Sequence, residues 1–175
     1  MGASGWNYFV PYQTDISKAL QELRASIFQQ GEYYRRDPYW KDMTFEDFLP
    51  PDLDFSEEDK ADYLAEFQAL QALPEPTSIE TLLKWNGEDG THSIIDMKEV
   101  ASESSFGAVA PLSNEELKRF FGTEKPTREM IENKERELAV FLQRELGRDR
   151  WEGTYIVVYK ENEPAEIYFT GYSGD

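Results

Sequence analysis

His92 is the chain's one histidine, and no cysteine accompanies it. Zinc sites built on two histidines or on cysteine are thereby excluded, as are thiolate nucleophiles, disulfides and iron–sulfur ligation. A serine–histidine–aspartate relay needs a single imidazole, and Ser93, Asp96 and Ser173 supply the other group types. On one strand, however, His92 and Asp96 would stand about 13 Å apart, too far for the hydrogen bond such a relay needs. His92 is therefore read as a residue flanking a turn. The ending Gly171-Tyr-Ser-Gly-Asp175 resembles a nucleophile elbow only superficially: Asp175 replaces the second glycine, and no helix follows.

Oxygen ligands for a hard cation are present at Asn86, Glu88 and Asp89 beside two glycines. Their spacing does not fit a calcium loop with its distant glutamate, so a solvated turn is the simpler reading. Neither of the glycine-rich phosphate-cradling signatures is present. Paired carboxylates are too abundant in this chain for any one pair to point to glycoside chemistry. No residue is assigned as catalytic or metal-ligating, and no cofactor is expected.

The most informative constellation is acidic: Asp52, Asp54, Glu57, Glu58, Asp59, Asp62 and Glu66, interrupted only by Lys60. On a helix, Glu58, Asp62 and Glu66 line one face opposite Tyr63, Phe67 and Leu70, with Leu64 supporting that apolar stripe. Like charges four residues apart destabilise a helix by about 0.2–0.5 kcal/mol per pair. A solvated helix face explains such charge; a basic partner explains why the repulsion is tolerated. Just upstream, residues 32–51 carry Tyr33, Tyr34, Tyr39, Trp40, Phe45 and Phe48 among arginines and prolines. Rings as anchors and acids as steering charges make a binding surface, for which Tyr39 and Trp40 join the seven acids as candidates. The alternative is a small-ligand pocket, or an enzyme's, beneath the aromatic loop 33–48. Arg144, Arg148 and Arg150 gather at the end of the last helix, where a cation suits the helix dipole, and no further role is assigned to them.

Composition agrees with this emphasis. The 175 residues carry 35 acidic and 18 basic side chains, a net charge of −17. That field repels phosphate backbones and draws in basic proteins, so a basic protein partner is expected and nucleic acid is not. Hydrophobic residues at 39% are enough to build a core, yet no apolar run approaches the length of a membrane span. The amino terminus lacks the basic and apolar regions of a secretion signal, which makes the cytoplasm the expected location.

The elements that must position these groups are legible in outline. Gly153 to Tyr172 contains two runs rich in β-branched and aromatic residues around Glu161-Asn-Glu-Pro164, a β-hairpin whose first strand is apolar on both faces. Trp6 to Tyr12 predicts a strand at a sheet edge that ends near Pro11, with Trp6, Tyr8 and Val10 opposite Phe9. Thr14 or Asp15 caps a helix with Ile16, Leu20, Leu23 and Ile27 as its inner stripe, and Gly31 ends it. A one-turn helix spans 44–49. Further helices open at Ser56, Ser78, Ser113 and Thr127, the last running unbroken to about Leu146. Thr91 to Met97 predicts a strand, and Phe106 to Pro111 an extended segment. With residues 1–5 as a loose tail, the expectation is one α+β domain: a small antiparallel or mixed sheet with a C-terminal hairpin, packed by several helices.

In size, acidity, lack of cysteine and α+β order the chain resembles the small bacterial immunity or inhibitor proteins that neutralise a cognate toxin. It also resembles small acidic bacterial proteins that pair a W-x-Y-F-x-P-Y opening, here Trp6 to Tyr12, with a hairpin ending in G-Y-S-G-D, here Gly171 to Asp175. The resemblance implies a non-enzymatic, cytoplasmic interaction module. It carries over no individual functional residue.

Overall fold

A computed structural model of the chain describes residues 4–36, 41–50 and 55–173. In order, the elements are β1 (Ser4–Pro11), α1 (Ile16–Gln30), α2 (Phe45–Phe48), α3 (Glu57–Gln71), α4 (Ile79–Asn86), β2 (Glu99–Val100), β3 (Ala108–Pro111), α5 (Asn114–Phe121), α6 (Arg128–Asn133), α7 (Glu135–Arg144), β4 (Glu152–Lys160) and β5 (Glu163–Ser173). The five strands form one sheet in the order β1-β5-β4-β3-β2. β1, β5 and β4 run antiparallel to their neighbours, whereas β4, β3 and β2 are parallel. The fold is α+β with a mixed sheet, and β4–β5 is the expected hairpin. Its loop is Glu161-Asn162, both at positive φ (52° and 68°), the two-residue turn whose twist suits a hairpin.

The hairpin is covered on both sides because its residues alternate between two cores. Ile167 and Phe169 join Trp6, the α1 stripe Leu20, Leu23 and Ile27, and Leu82, Ile94 and Met97. Ile156, Val158 and Tyr168 instead meet Leu117, Phe121, Ile131, Leu138, Phe141 and Leu142 from α5, α6 and α7. Asp15 caps α1 through the Lys18 N–H, and Gly31 closes it at φ 72°. Ser56 and Ser113 form reciprocal capping boxes with Asp59 and Glu116.

The central joint of the sheet depends on two residues without side chains. Trp6 on β1 pairs with Gly171 on β5, and its indole lies across Gly171 and Gly153. A Cβ at Gly171 would stand 2.5 Å from Trp6 Cζ2; one at Gly153 would stand 3.1 Å from Trp6 Cη2 and 2.6 Å from Val109 Cγ1. Trp6 Nε1–H donates to Ser173 Oγ at 3.1 Å, so burial leaves the indole satisfied.

Four expectations are corrected. Thr91 to Met97 is not a strand: Ser93 Oγ accepts the Ile95 N–H and starts a 3-10 turn over Ile94–Asp96. The Asp96 carboxylate takes the Thr91 N–H at 2.8 Å. Apolar residues buried all round a turn imitate a strand in sequence. The helix from Thr127 is broken at Lys134, whose φ of −121° leaves the helical region. Lys134 Nζ donates to the Phe120 carbonyl at 3.2 Å, and no proline or glycine marks the break. Leu64 does not support a buried stripe; it is exposed, and Phe67 alone on α3 is fully buried. Finally, Ser4 and Gly5 belong to β1 rather than to a tail, while 1–3 lie outside the described residues.

Gly171→Ala should destabilise the protein by about 1–3 kcal/mol, since the methyl cannot be seated without displacing the Trp6 ring. Urea unfolding measures the loss, which should be accompanied by a shift in tryptophan emission.

Candidate functional site

Two surfaces merit a chemical reading, and α3 is the first. Its Ser56 cap fixes one end, and Asp59 is held there. Asp59 Oδ2 accepts the Ser56 hydroxyl at 2.6 Å and the Ser56 N–H at 3.1 Å. These bonds lower the Asp59 carboxyl below its ordinary range. Asp59 therefore serves the helix end. Glu57 pairs with Lys60 at 3.1 Å within the same turn.

Glu58, Asp62 and Glu66 remain. All three are exposed and follow one another at four-residue spacing, and none has an ion pair or side-chain hydrogen bond among the described residues. Other carboxylates of this acidic chain do find cations. Glu75 meets Arg35 and Lys41, Glu145 meets Arg119, and Glu132 and Glu166 share Arg128 at 2.7 Å. Five acids against one lysine over Glu57–Gln71 leave α3 strongly negative.

On its opposite side α3 is carried by rings. Phe45 and Phe48 of α2 lie 5.9 and 5.1 Å from Phe67, and Phe55 stands edge-on to Tyr63 at 4.9 Å. Phe67 belongs to neither of the two sheet cores, so α2 and α3 form an aromatic satellite that projects the acidic row. Asp52, Asp54, Tyr39 and Trp40 lie outside the described residues. The structure thus brings together Glu57, Glu58, Asp59, Asp62 and Glu66 of the predicted set, and separates Asp59 from the rest by its capping role.

Residues 33–36 of the aromatic loop are pinned. Tyr33 stacks on Phe28 at 5.8 Å and Tyr34 on His92 at 4.5 Å. Buried Asn86 donates to the carbonyls of Tyr34 and Gly90 and accepts the Arg36 N–H. Asp89 pairs with Arg36 at 3.3 Å. Asn86 and Asp89, two of the three groups considered for calcium, thus hold this loop to the end of α4. His92 sits at φ 53°, with Nδ1 3.1 Å from Ser4 Oγ. Its Nε2 is buried without a hydrogen-bond partner. Asp96 serves the Thr91 N–H and Ser173 serves Trp6, so the relay weighed from sequence is not assembled.

The second surface was not foreseen. A groove of about 580 Å³ opens where β2, β3 and β4 begin, lined by Leu83, Lys98, Phe106, Arg150 and Trp151 above Gly90 and Asp96. Phe106 is 73% exposed and stands 5.7 Å from Trp151. Trp151 has φ 67°. Its N–H donates to the Tyr172 carbonyl at 2.8 Å, and its carbonyl accepts the Gly107 N–H at 2.7 Å. Phe106-Gly107 and Trp151-Glu-Gly153, aromatic residues beside glycines where strands begin, were the signal available in sequence.

Arg148 also departs from its expected role at a helix end. It is buried and donates to the carbonyls of Ala110, Pro111 and Gly153, clamping β3 to β4. Burial lowers its pKa from the ordinary arginine value. No helix among the described residues is long and apolar enough to cross a membrane. No protein-family model, curated protein or solved structure matches this chain.

Proposed function

We propose that the protein is a non-enzymatic interaction module that binds a basic protein partner, in the manner of an immunity or inhibitor protein, with the exposed face of α3 as its contact. One observation carries the reading: Glu58, Asp62 and Glu66 follow one another at four-residue spacing along one exposed helix face, and none of the three has a cation among the described residues. Charge of that kind steers a positive surface into encounter and selects its register. The exposed Leu64 on the same helix offers apolar contact once the partner has arrived. An arginine-rich or lysine-rich partner would displace the repulsion within the row by pairing with each carboxylate.

A second reading, a small-ligand module, is favoured by the exposed Phe106 beside Trp151 in the groove, which no described residue of loop 33–48 lines. Saturable quenching of tryptophan emission by an aromatic carboxylate such as indole-3-acetate, lost in Phe106→Ser, would support it; unchanged emission would remove it.

For the leading reading, proteins recovered on the immobilised chain at about 50 mM salt should be released by about 300 mM. They should be absent from the Glu58→Lys/Asp62→Lys/Glu66→Lys variant, with an association rate at least tenfold lower for any partner identified. Equal recovery by both proteins would remove α3 from the account.

A further inference from the structure

The sheet has two edges, and they are built differently. β2 contains only Glu99 and Val100 and follows Lys98, a short and charged edge. β1 is eight residues long, reads Ser-Gly-Trp-Asn-Tyr-Phe-Val-Pro, and carries no charge. In a chain of which 30% is charged, that is the stretch where a blocking lysine or glutamate would be expected, because a long uncharged edge is a template for another strand.

The register shows which backbone groups are unused. β1 and β5 pair without a shift from Ser4↔Ser173 to Pro11↔Glu166, and Tyr12 N–H donates to the Ala165 carbonyl at 3.0 Å. In an antiparallel ladder the bonded positions alternate. Ser4, Trp6, Tyr8 and Val10 therefore direct their peptide groups at β5. Gly5, Asn7, Phe9 and Pro11 direct theirs away from the sheet. Pro11, which has no N–H, falls in the outward set, the one place a sheet tolerates it. Gly5, Asn7 and Pro11 are all exposed, and for glycine exposure means an accessible backbone.

We propose that β1 is a self-association edge, occupied by β1 of a second copy of this chain, antiparallel across a two-fold axis at Asn7. Gly5, Asn7 and Phe9 of the outward set are symmetric about that residue, and Pro11 falls outside the pairing. Asn7 would face Asn7 of the second copy, and Gly5 would face the second copy's Phe9. About six backbone hydrogen bonds would close the pair. The match to a second copy rests on charge. An acidic protein repels its own copies, so two approach most readily along a stretch without carboxylates; β1 carries none, and the charge lying over its Phe9 ring, the Arg128 guanidinium at 4.2 Å, is positive. Gly5 already has a ring over it within the chain, since a Cβ there would lie 3.1 Å from Tyr172. Phe9 of the second copy would flank the same glycine from the other side, the arrangement by which aromatic residues protect glycines in sheets. The result is a continuous sheet through two molecules, an isologous contact that closes on itself.

The salt dependence of this dimer is opposite to that of the acidic face of α3. Salt screens the repulsion between two copies at −17 each, so association strengthens as salt rises. Failure of one proposal is therefore distinguishable from failure of the other. Sedimentation equilibrium at about 100 µM protein should give a dimer whose dissociation constant falls severalfold between low salt and about 0.5 M. Asn7→Asp places two carboxylates on the axis and should be monomeric at pH 7, with thermal unfolding unchanged at protein concentrations where wild type is also monomeric; Asn7→Thr should remain dimeric. Amide exchange at Gly5, Asn7 and Phe9 should slow with rising protein concentration, a reading that needs no variant. A wild-type protein that stays monomeric at both salt concentrations, or an Asn7→Asp protein as dimeric as wild type, overturns the proposal.

Discussion

The contact between the Trp6 indole and the two glycines beneath it fixes the centre of this molecule. Gly171 and Gly153 stand on adjacent strands, and their missing side chains open a lane across β5 and β4. The ring fills that lane and reaches Ser173 with its N–H. One side chain thus ties the start of the chain to its last two strands. It also sets the register in which Tyr8 and Val10 follow Trp6 onto the α1 face while Phe9 meets Tyr168 at 4.6 Å on the other. A shift by one residue would exchange every one of those faces.

With the sheet so fixed, the two proposed surfaces lie where the cores are not. Trp6, Ile156, Val158, Ile167 and Phe169 are consumed by packing. α3 sits apart on its own ring cluster, with a row of carboxylates that no intramolecular cation neutralises among the described residues. β1 lends one set of peptide groups to β5 and keeps the other set at the edge. On these proposals charge would govern both surfaces, attracting a basic partner at α3 and confining contact between like copies to the uncharged strand.

What could be read from the sequence followed local rules. The hairpin showed in its β-branched runs, α1 in its stripe and caps, and the edge position of β1 in Pro11. The acidic row showed in four-residue spacing. What could not be read depended on contacts between distant segments. The segment Ile94–Asp96 looks like a strand because it is apolar throughout, yet its fold comes from Asp96 turning back to the Thr91 amide. The break at Lys134 coincides with a bond from its Nζ to a carbonyl on α5, a contact no local pattern announces. Arg148 looks like a helix-end cation, and its role as a clamp requires β3 and β4 to be in place first. The groove at Phe106 and Trp151 exists only where three strands begin together, which no local pattern encodes.

On the proposed reading Glu58, Asp62 and Glu66 are kept for a partner; Glu58, in the first turn, also suits the helix dipole, whereas Asp62 and Glu66 stand against the interest of the helix. Thermal unfolding of the Asp62→Asn/Glu66→Gln variant, at low salt and without any partner, tests that directly. Removing repulsion at four-residue spacing should leave the midpoint unchanged or raise it by about 1–4 °C. A midpoint lowered by several degrees would mean that these carboxylates hold the fold together, and would contradict the account.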